Sequence, residues 1–194
     1  MQIVNIATTN ANKGRFLAKA LAKAGIRAKV APIDMPEPRS YDLRVIASAK
    51  AAHAYGELKR PCVVLDSGFF IPSLNGFPRS FVNFALDTIG VDGILKLAKG
   101  TDRRCEFRNC LAYIDGRTRG PILFEAVERG RLAHRKIGND GDYFWSKLFY
   151  VFIPDGERKT LAQMGRDEYE QWHDGVEDYT TKFVVWYRKN RMGL

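Results

Sequence analysis

Apolar and polar positions follow two rhythms along this chain, and the rhythm switches repeatedly. IVNIA (3–7) is a short continuous apolar run, as expected of a buried strand. Phe16, Leu17, Ala20, Leu21 and Ala24 then recur at helical spacing and predict a helix over 13–24, stopped by Gly25. RAKVAPI (27–33) predicts a second strand, closed by Pro36 and Pro38, and Leu43, Ile46, Ala47 and Ala51 predict a helix over 42–56. CVVLD (62–66) is a compact β-branched run that predicts a central strand. Gly68, Pro72, Gly76 and Pro78 punctuate a long loop, and 80–90 and 91–99 are helical in pattern. The stretches 105–115 and 121–133 alternate apolar and polar residues on either side of Gly116 and Gly120, which predicts a β-hairpin. KLFYVFIP (147–154) predicts another strand, and 160–190 a mostly helical end in which FVVWY (183–187) also fits a strand. Alternating strands and helices imply an α/β (α+β mixed) fold: a mixed β-sheet with flanking helices. No repeat or linker divides the chain, so one domain spanning 1–194 is expected, with room for two lobes in the sheet.

Composition changes this picture little. The chain has 194 residues, 45% of them hydrophobic and 12% aromatic, enough for a substantial core and too many for disorder. The formal net charge of +9 favours anionic partners such as nucleotides. Arg103, Arg104, Arg117, Arg119, Arg129, Arg131, Arg135 and Lys136 scatter that charge, so it reads first as a solvated basic surface. Nucleic-acid binding rests on charge alone and ranks last, because no recognition helix or RNA-binding signature accompanies it. Cys62, Cys105 and Cys110 show no metal-ligand spacing and are expected to be buried free thiols in a reducing compartment. MQIVNIATTN lacks a basic n-region, and no apolar run is long enough for a membrane span. A soluble, cytoplasmic protein without a membrane partner is expected.

Four short stretches could carry chemistry. In TTNANK (8–13) a strand-to-helix turn exposes N–H groups, with Asn10 and Lys13 beside them to hold phosphate. On pattern alone an ordinary Asn N-cap with a solvent-facing Lys13 is the stronger reading. In VVLDSG (63–68) Asp66 ends a buried strand, where a carboxylate can bind Mg²⁺ or activate water, or where Asp-Ser-Gly simply makes a turn. In IDMPEP (33–38) two prolines fix the backbone around Glu37, which otherwise is an exposed loop residue. In DYFWSKLF (142–149) the aromatics Tyr143, Phe144 and Trp145 can stack a purine or pack in a core.

Taken in order, these motifs resemble the inosine triphosphate pyrophosphatases, house-cleaning enzymes for non-canonical purine nucleotides. Thr8, Asn10 and Lys13 match the opening Thr-x-Asn-x-x-Lys, Met35-Pro36-Glu37 resembles Leu-Pro-Glu, and Asp66-Ser67-Gly68 matches the family's strand-end motif. Leu74 to Phe81 resembles the LxGxPGxY segment, Phe124-Glu125-Ala126 with Gly130 the glycine hairpin, and Tyr143 to Lys147 the Phe-Gly-Trp-Asp-Pro motif. Pro154-Asp155-Gly156 through Met164 follows PDGxxxTxAxM, so the likeness runs collinearly over about residues 1–170.

The resemblance implies a long twisted mixed sheet whose two lobes enclose a central nucleotide cleft, and a homodimer. It implies Mg²⁺-dependent hydrolysis of the α–β phosphoanhydride of ITP, dITP or XTP. By matching position, Lys13 and Asp66 would be catalytic, and Thr8, Asn10, Lys13, Ser67, Gly68, Phe144 and Trp145 would contact substrate, with Trp145 stacked on the base. Glu37 and Asp66 would hold the metal. The chain also departs from the pattern. Phe16 replaces a Glu, Leu65 an acidic neighbour of Asp66, Phe144 a Gly, and Ser146-Lys147 an Asp-Pro pair. The family's terminal Ser-His-Arg aligns with Trp172 to Gly175, where His173 is expected at the surface. These losses imply weaker Mg²⁺ binding and altered base choice. The alternative is the same fold used for another nucleotide reaction, such as N-glycosidic hydrolysis of a nucleoside monophosphate, or for binding without catalysis.

Overall fold

Caps and apolar runs set the element boundaries. A computed structural model describes residues 2–141, 143–176 and 178–193; Asp142, the first residue of the aromatic motif, lies outside the described residues. In chain order the elements are β1 (Val4–Ala7), α1 (Ala11–Lys23), β2 (Ala28–Ala31), α2 (Leu43–Leu58), β3 (Cys62–Phe70), β4 (Pro78–Arg79), α3 (Val82–Thr88), α4 (Gly90–Leu97), β5 (Arg104–Ile114), β6 (Ile122–Leu132), β7 (Phe152–Pro154), α5 (Arg166–Asp174) and α6 (Tyr179–Tyr187). Among the described residues the seven strands form one mixed sheet in the order β2-β1-β3-β5-β6-β7, with β4 paired to β3. β1 runs parallel to β2 and to β3, so α1 and α2 serve as the crossovers that parallel pairs require.

Two expectations change, and one left between helix and strand resolves to helix. β3 does not stop at Asp66 but runs on to Phe70, because Ser67 and Gly68 continue the strand into Phe69 and Phe70. Gly68 has a packing reason: a Cβ there would lie 2.8 Å from the Arg79 carbonyl oxygen of the paired strand β4. The predicted strand over 147–154 splits, with a 3-10 turn at Lys147–Tyr150 and only Phe152–Pro154 extended. Ser146 Oγ accepts from the Leu148 N–H at 3.2 Å and caps that turn. FVVWY lies within helix α6, where Phe183 and Tyr187 recur at helical spacing and are both buried.

The chain forms two compact units. The first comprises Met1–Asp66, Asn109–Ala126 and Glu177–Leu194, and the second Ser67–Arg108 and Val127–Val176. In the first unit Val4 and Ile6 of β1, Leu17 and Leu21 of α1, Val63 and Leu65 of β3, Tyr113 of β5 and Phe183 of α6 make one buried cluster. Each such side chain contributes about 1.5–3 kcal/mol by leaving water. Phe16 packs against this cluster from its edge. Gly14 lets α1 approach β2, since a Cβ there would lie 3.0 Å from Val30. The second unit is held by rings: Phe107 meets Phe69 at 4.8 Å and Phe152 at 4.9 Å, both edge-on.

All three cysteines are free and buried. Burial pushes the Cys62 and Cys110 thiols up to about 12 and raises the Cys105 thiol as well. A thiol raised in this way stays protonated and unreactive at neutral pH. Native protein treated with iodoacetamide at pH 8 is therefore expected to stay unalkylated by mass spectrometry, with all three sites modified once urea unfolds it.

Candidate active site

The site is built from two crossover helices and the central strand of the first unit. Asp66 on β3 is 8% exposed, and Lys50 on α2 is also 8% exposed. Lys50 Nζ lies 2.8 Å from Asp66 Oδ2 and 2.6 Å from Glu37 Oε1, so one ammonium bridges both carboxylates. Glu37 comes from the proline-bounded loop before α2, and its side chain remains 66% exposed. Burial works against the Lys50 ammonium, but Asp66 and Glu37 outweigh it and hold its pKa above the usual lysine value. A desolvated pair of this kind is weak evidence for stability, because taking two charges out of water offsets most of their attraction. Its retention on a buried strand points to function instead.

Lys13 joins the same group. Its Nζ donates to the Leu65 carbonyl at 3.3 Å. It is not the solvent-facing lysine that the pattern alone favours: burial lowers its pKa, with Lys50 adding to that effect and Asp66 and Glu37 opposing it. Asn10 is the N-cap of α1, its Oδ1 accepting from the Lys13 N–H at 3.0 Å, and Thr8 Oγ1 accepts from the Asn10 N–H at 3.1 Å. These bonds shape the turn and present the N-terminus of a thirteen-residue helix with no acidic residue in its first turn. Such a terminus favours anions, phosphate above all.

The remaining predicted residues belong to the second unit. Ser67 is half-buried and Gly68 buried on β3. Trp145 is half-buried, its ring 5.6 Å from Phe107 and 5.2 Å from Phe149. Phe144 is 8% exposed and packs edge-on against Tyr143, Phe149 and Tyr150, so its bulk lies within the aromatic packing of this unit. His173, expected at the surface, is buried at 9% exposure among the rings of Tyr169 and Trp172.

Two of the departures have packing explanations. The Leu65 side chain belongs to the buried cluster while its carbonyl faces Lys13, and Phe16 packs on that cluster. Lys50 is the functional candidate that the motifs did not identify. Its signal was present in the apolar spacing: it follows Ile46 by four and Ala47 by three residues, on the buried side of α2.

The donor set suits a hard divalent cation. Two carboxylate oxygens converge on one position that carries positive charge. Among the described residues no cluster of three or more His, Cys, Asp or Glu side chains is placed to hold a metal. One or two carboxylates completed by substrate phosphates is the usual arrangement for Mg²⁺.

Known proteins resemble this chain along most of its length. The family model described as Ham1 family matches residues 4–174. A dITP/XTP pyrophosphatase of Methanopyrus kandleri is 35% identical over 191 residues, 98% of this chain and 98% of that protein. Its counterpart from Pyrococcus horikoshii is 34% identical over 163 residues, 83% of this chain and 84% of that protein. A HAM1 protein structure from Coxiella burnetii superposes with a TM-score of 0.80 at 20% identity, covering 97% of this chain and all 100% of that one, which shows a shared fold. From its collinear motifs, its sheet and these relatives, the chain belongs to the Ham1 family.

Proposed function

We propose that this chain is a nucleoside triphosphate pyrophosphatase acting on non-canonical purine nucleotides such as dITP and XTP. It cleaves the α–β phosphoanhydride and releases the monophosphate and pyrophosphate. The convergence of Lys13, Lys50, Glu37 and Asp66 carries this reading. Relatives named dITP/XTP pyrophosphatases that align over nearly the whole chain support the substrate class.

The residues divide the chemistry among them. Lys13, Lys50 and the N-terminus of α1 neutralise phosphate charge, with Thr8 and Asn10 holding the turn in shape. Asp66 orients a water and accepts its proton as the water oxygen bonds to phosphorus and the anhydride bond breaks. Glu37 and Asp66 are the residues that would hold Mg²⁺, which when bound supplies further charge neutralisation at the phosphates. Trp145 offers its ring to the purine, Phe144 supports that region by packing, and Ser67 and Gly68 continue the strand beyond Asp66. We place the protein in the cytoplasm as a homodimer. No described helix is long and apolar enough to cross a membrane, and Phe84 of α3 and Leu97 of α4 are apolar side chains left 68% and 51% exposed, a surface a second copy would cover.

Steady-state kinetics on a panel of ITP, dITP, XTP, dATP and dGTP with Mg²⁺ tests the reading. kcat/KM for at least one of ITP, dITP and XTP is expected to exceed the values for dATP and dGTP by roughly 100-fold or more. Equal rates across the panel would contradict the substrate class, and no turnover on any triphosphate would contradict the reaction.

A further inference from the structure

Lys50 stands where a divalent cation would stand. Its ammonium lies within 2.8 Å of an oxygen of each carboxylate assigned to the metal, and its side chain is only 11% exposed. Magnesium binds oxygen at about 2.0–2.1 Å and tolerates little distortion. It cannot be held by Glu37 and Asp66 together while an ammonium sits between them. Nor can Lys50 withdraw at no cost, because its charge then loses both partners inside a largely buried site.

We infer that Lys50 is an internal competitor of the divalent cation, a tethered charge that keeps the Glu37–Asp66 pair occupied until nucleotide arrives. This rests on the reading of those two carboxylates as the metal-holding pair. A triphosphate brings the anionic partner that Lys50 needs once it leaves the carboxylates. Metal and nucleotide binding are thereby positively coupled through one side chain, and the protein without nucleotide takes up metal weakly. The sequence supports the assignment: α2 is otherwise lined on that side by Leu43, Ile46, Ala47, Ala51 and Ala54, so a lysine there has no packing role that an apolar residue would not fill.

The test measures Mn²⁺ binding to the full chain without nucleotide, by the loss of the free-ion electron paramagnetic resonance signal. Lys50→Gln is expected to bind Mn²⁺ about tenfold or more tightly than the wild type, a coupling of ordinary size for two ligands of one site. Lys50→Arg, which keeps the charge, is expected to stay close to wild type. Thermal unfolding supplies a second readout: Mg²⁺ should raise the Tm of Lys50→Gln by more than that of the wild type, because it replaces the missing charge. Equal Mn²⁺ affinity in Lys50→Gln and wild type would overturn the inference, as would an equally tight Lys50→Arg. A Lys50→Gln chain that stays unfolded at every Mg²⁺ concentration would overturn it as well. Turnover by wild type separates the two claims. If no triphosphate is hydrolysed but the Mn²⁺ difference holds, the pyrophosphatase assignment fails and the competition stands; if turnover is found without the difference, only the competition fails.

Discussion

Asp66→Asn is expected to lower kcat for dITP by about 100- to 10,000-fold, the usual range for losing a positioned general base. KM should change far less. The substitution keeps the shape of the side chain and removes its ability to take a proton. Lys50 retains its 2.6 Å contact with Glu37, so the ammonium is not left stranded. The strand itself is secure, since Val63 and Leu65, which lead into Asp66, are in the core cluster. The variant should therefore give a far-UV circular dichroism spectrum like that of wild type while losing turnover. A raised KM with kcat intact would show instead that Asp66 binds substrate and leaves the proton to another group.

Arg191→Met is expected to cost about 3 kcal/mol of stability, or about 10 °C in Tm for a chain of this size. Arg191 Nε lies 2.6 Å from Asp115 Oδ2, with side-chain exposures of 14% and 4%. Asp115 also accepts from the Tyr113 hydroxyl at 2.8 Å and from the Arg117 N–H at 2.9 Å. The guanidinium also lies 4.9 Å from the Trp186 ring centroid, and its pairing with Asp115 ties the C-terminal segment to the turn after β5. Burial raises the Asp115 pKa, but Arg191, Tyr113 and the backbone donors outweigh it and the value falls below the usual carboxylate range. A depressed folded-state pKa gives stability that is present above the unfolded value of about 3.9 and is lost as pH falls through the folded one. Wild type should thus lose this contribution below about pH 4. The variant, with the arginine gone, should show a shallower loss over the same interval. Urea unfolding at pH 7 and pH 3.5 measures both, and an unchanged midpoint at pH 7 would contradict the account.

The sequence foretold most elements because their signals are local. Asn10 caps α1, Gly25 at φ 76° ends it, and β6 alternates cleanly, as does the first half of β5. It misled where tertiary context overrides local chemistry. Asp-Ser-Gly has the composition of a turn, yet pairing with β4 carries the strand through it. KLFYVFIP has β propensity, but Ser146 caps a helical turn at its start. At the site, Lys13, Glu37 and Asp66 stood out by their motifs. Lys50 did not, because nothing in a one-dimensional pattern shows that its helix face turns toward two carboxylates from other segments. Phe16 and Leu65 suggested a changed site by comparison with the family pattern, and each belongs to or packs on the buried cluster. Their apolar character has a structural reason whatever it does to the metal.

The Lys13–Lys50–Glu37–Asp66 group is proposed to direct water to the α–β anhydride of a purine nucleoside triphosphate. Phosphorus-31 NMR of wild-type protein incubated with dITP or XTP and Mg²⁺ tests it most directly. Monophosphate and pyrophosphate should appear in equal amounts, with no nucleoside diphosphate and no sugar 5-phosphate. Orthophosphate accumulating with a nucleoside diphosphate, or sugar 5-phosphate left when a monophosphate loses its base, would contradict it.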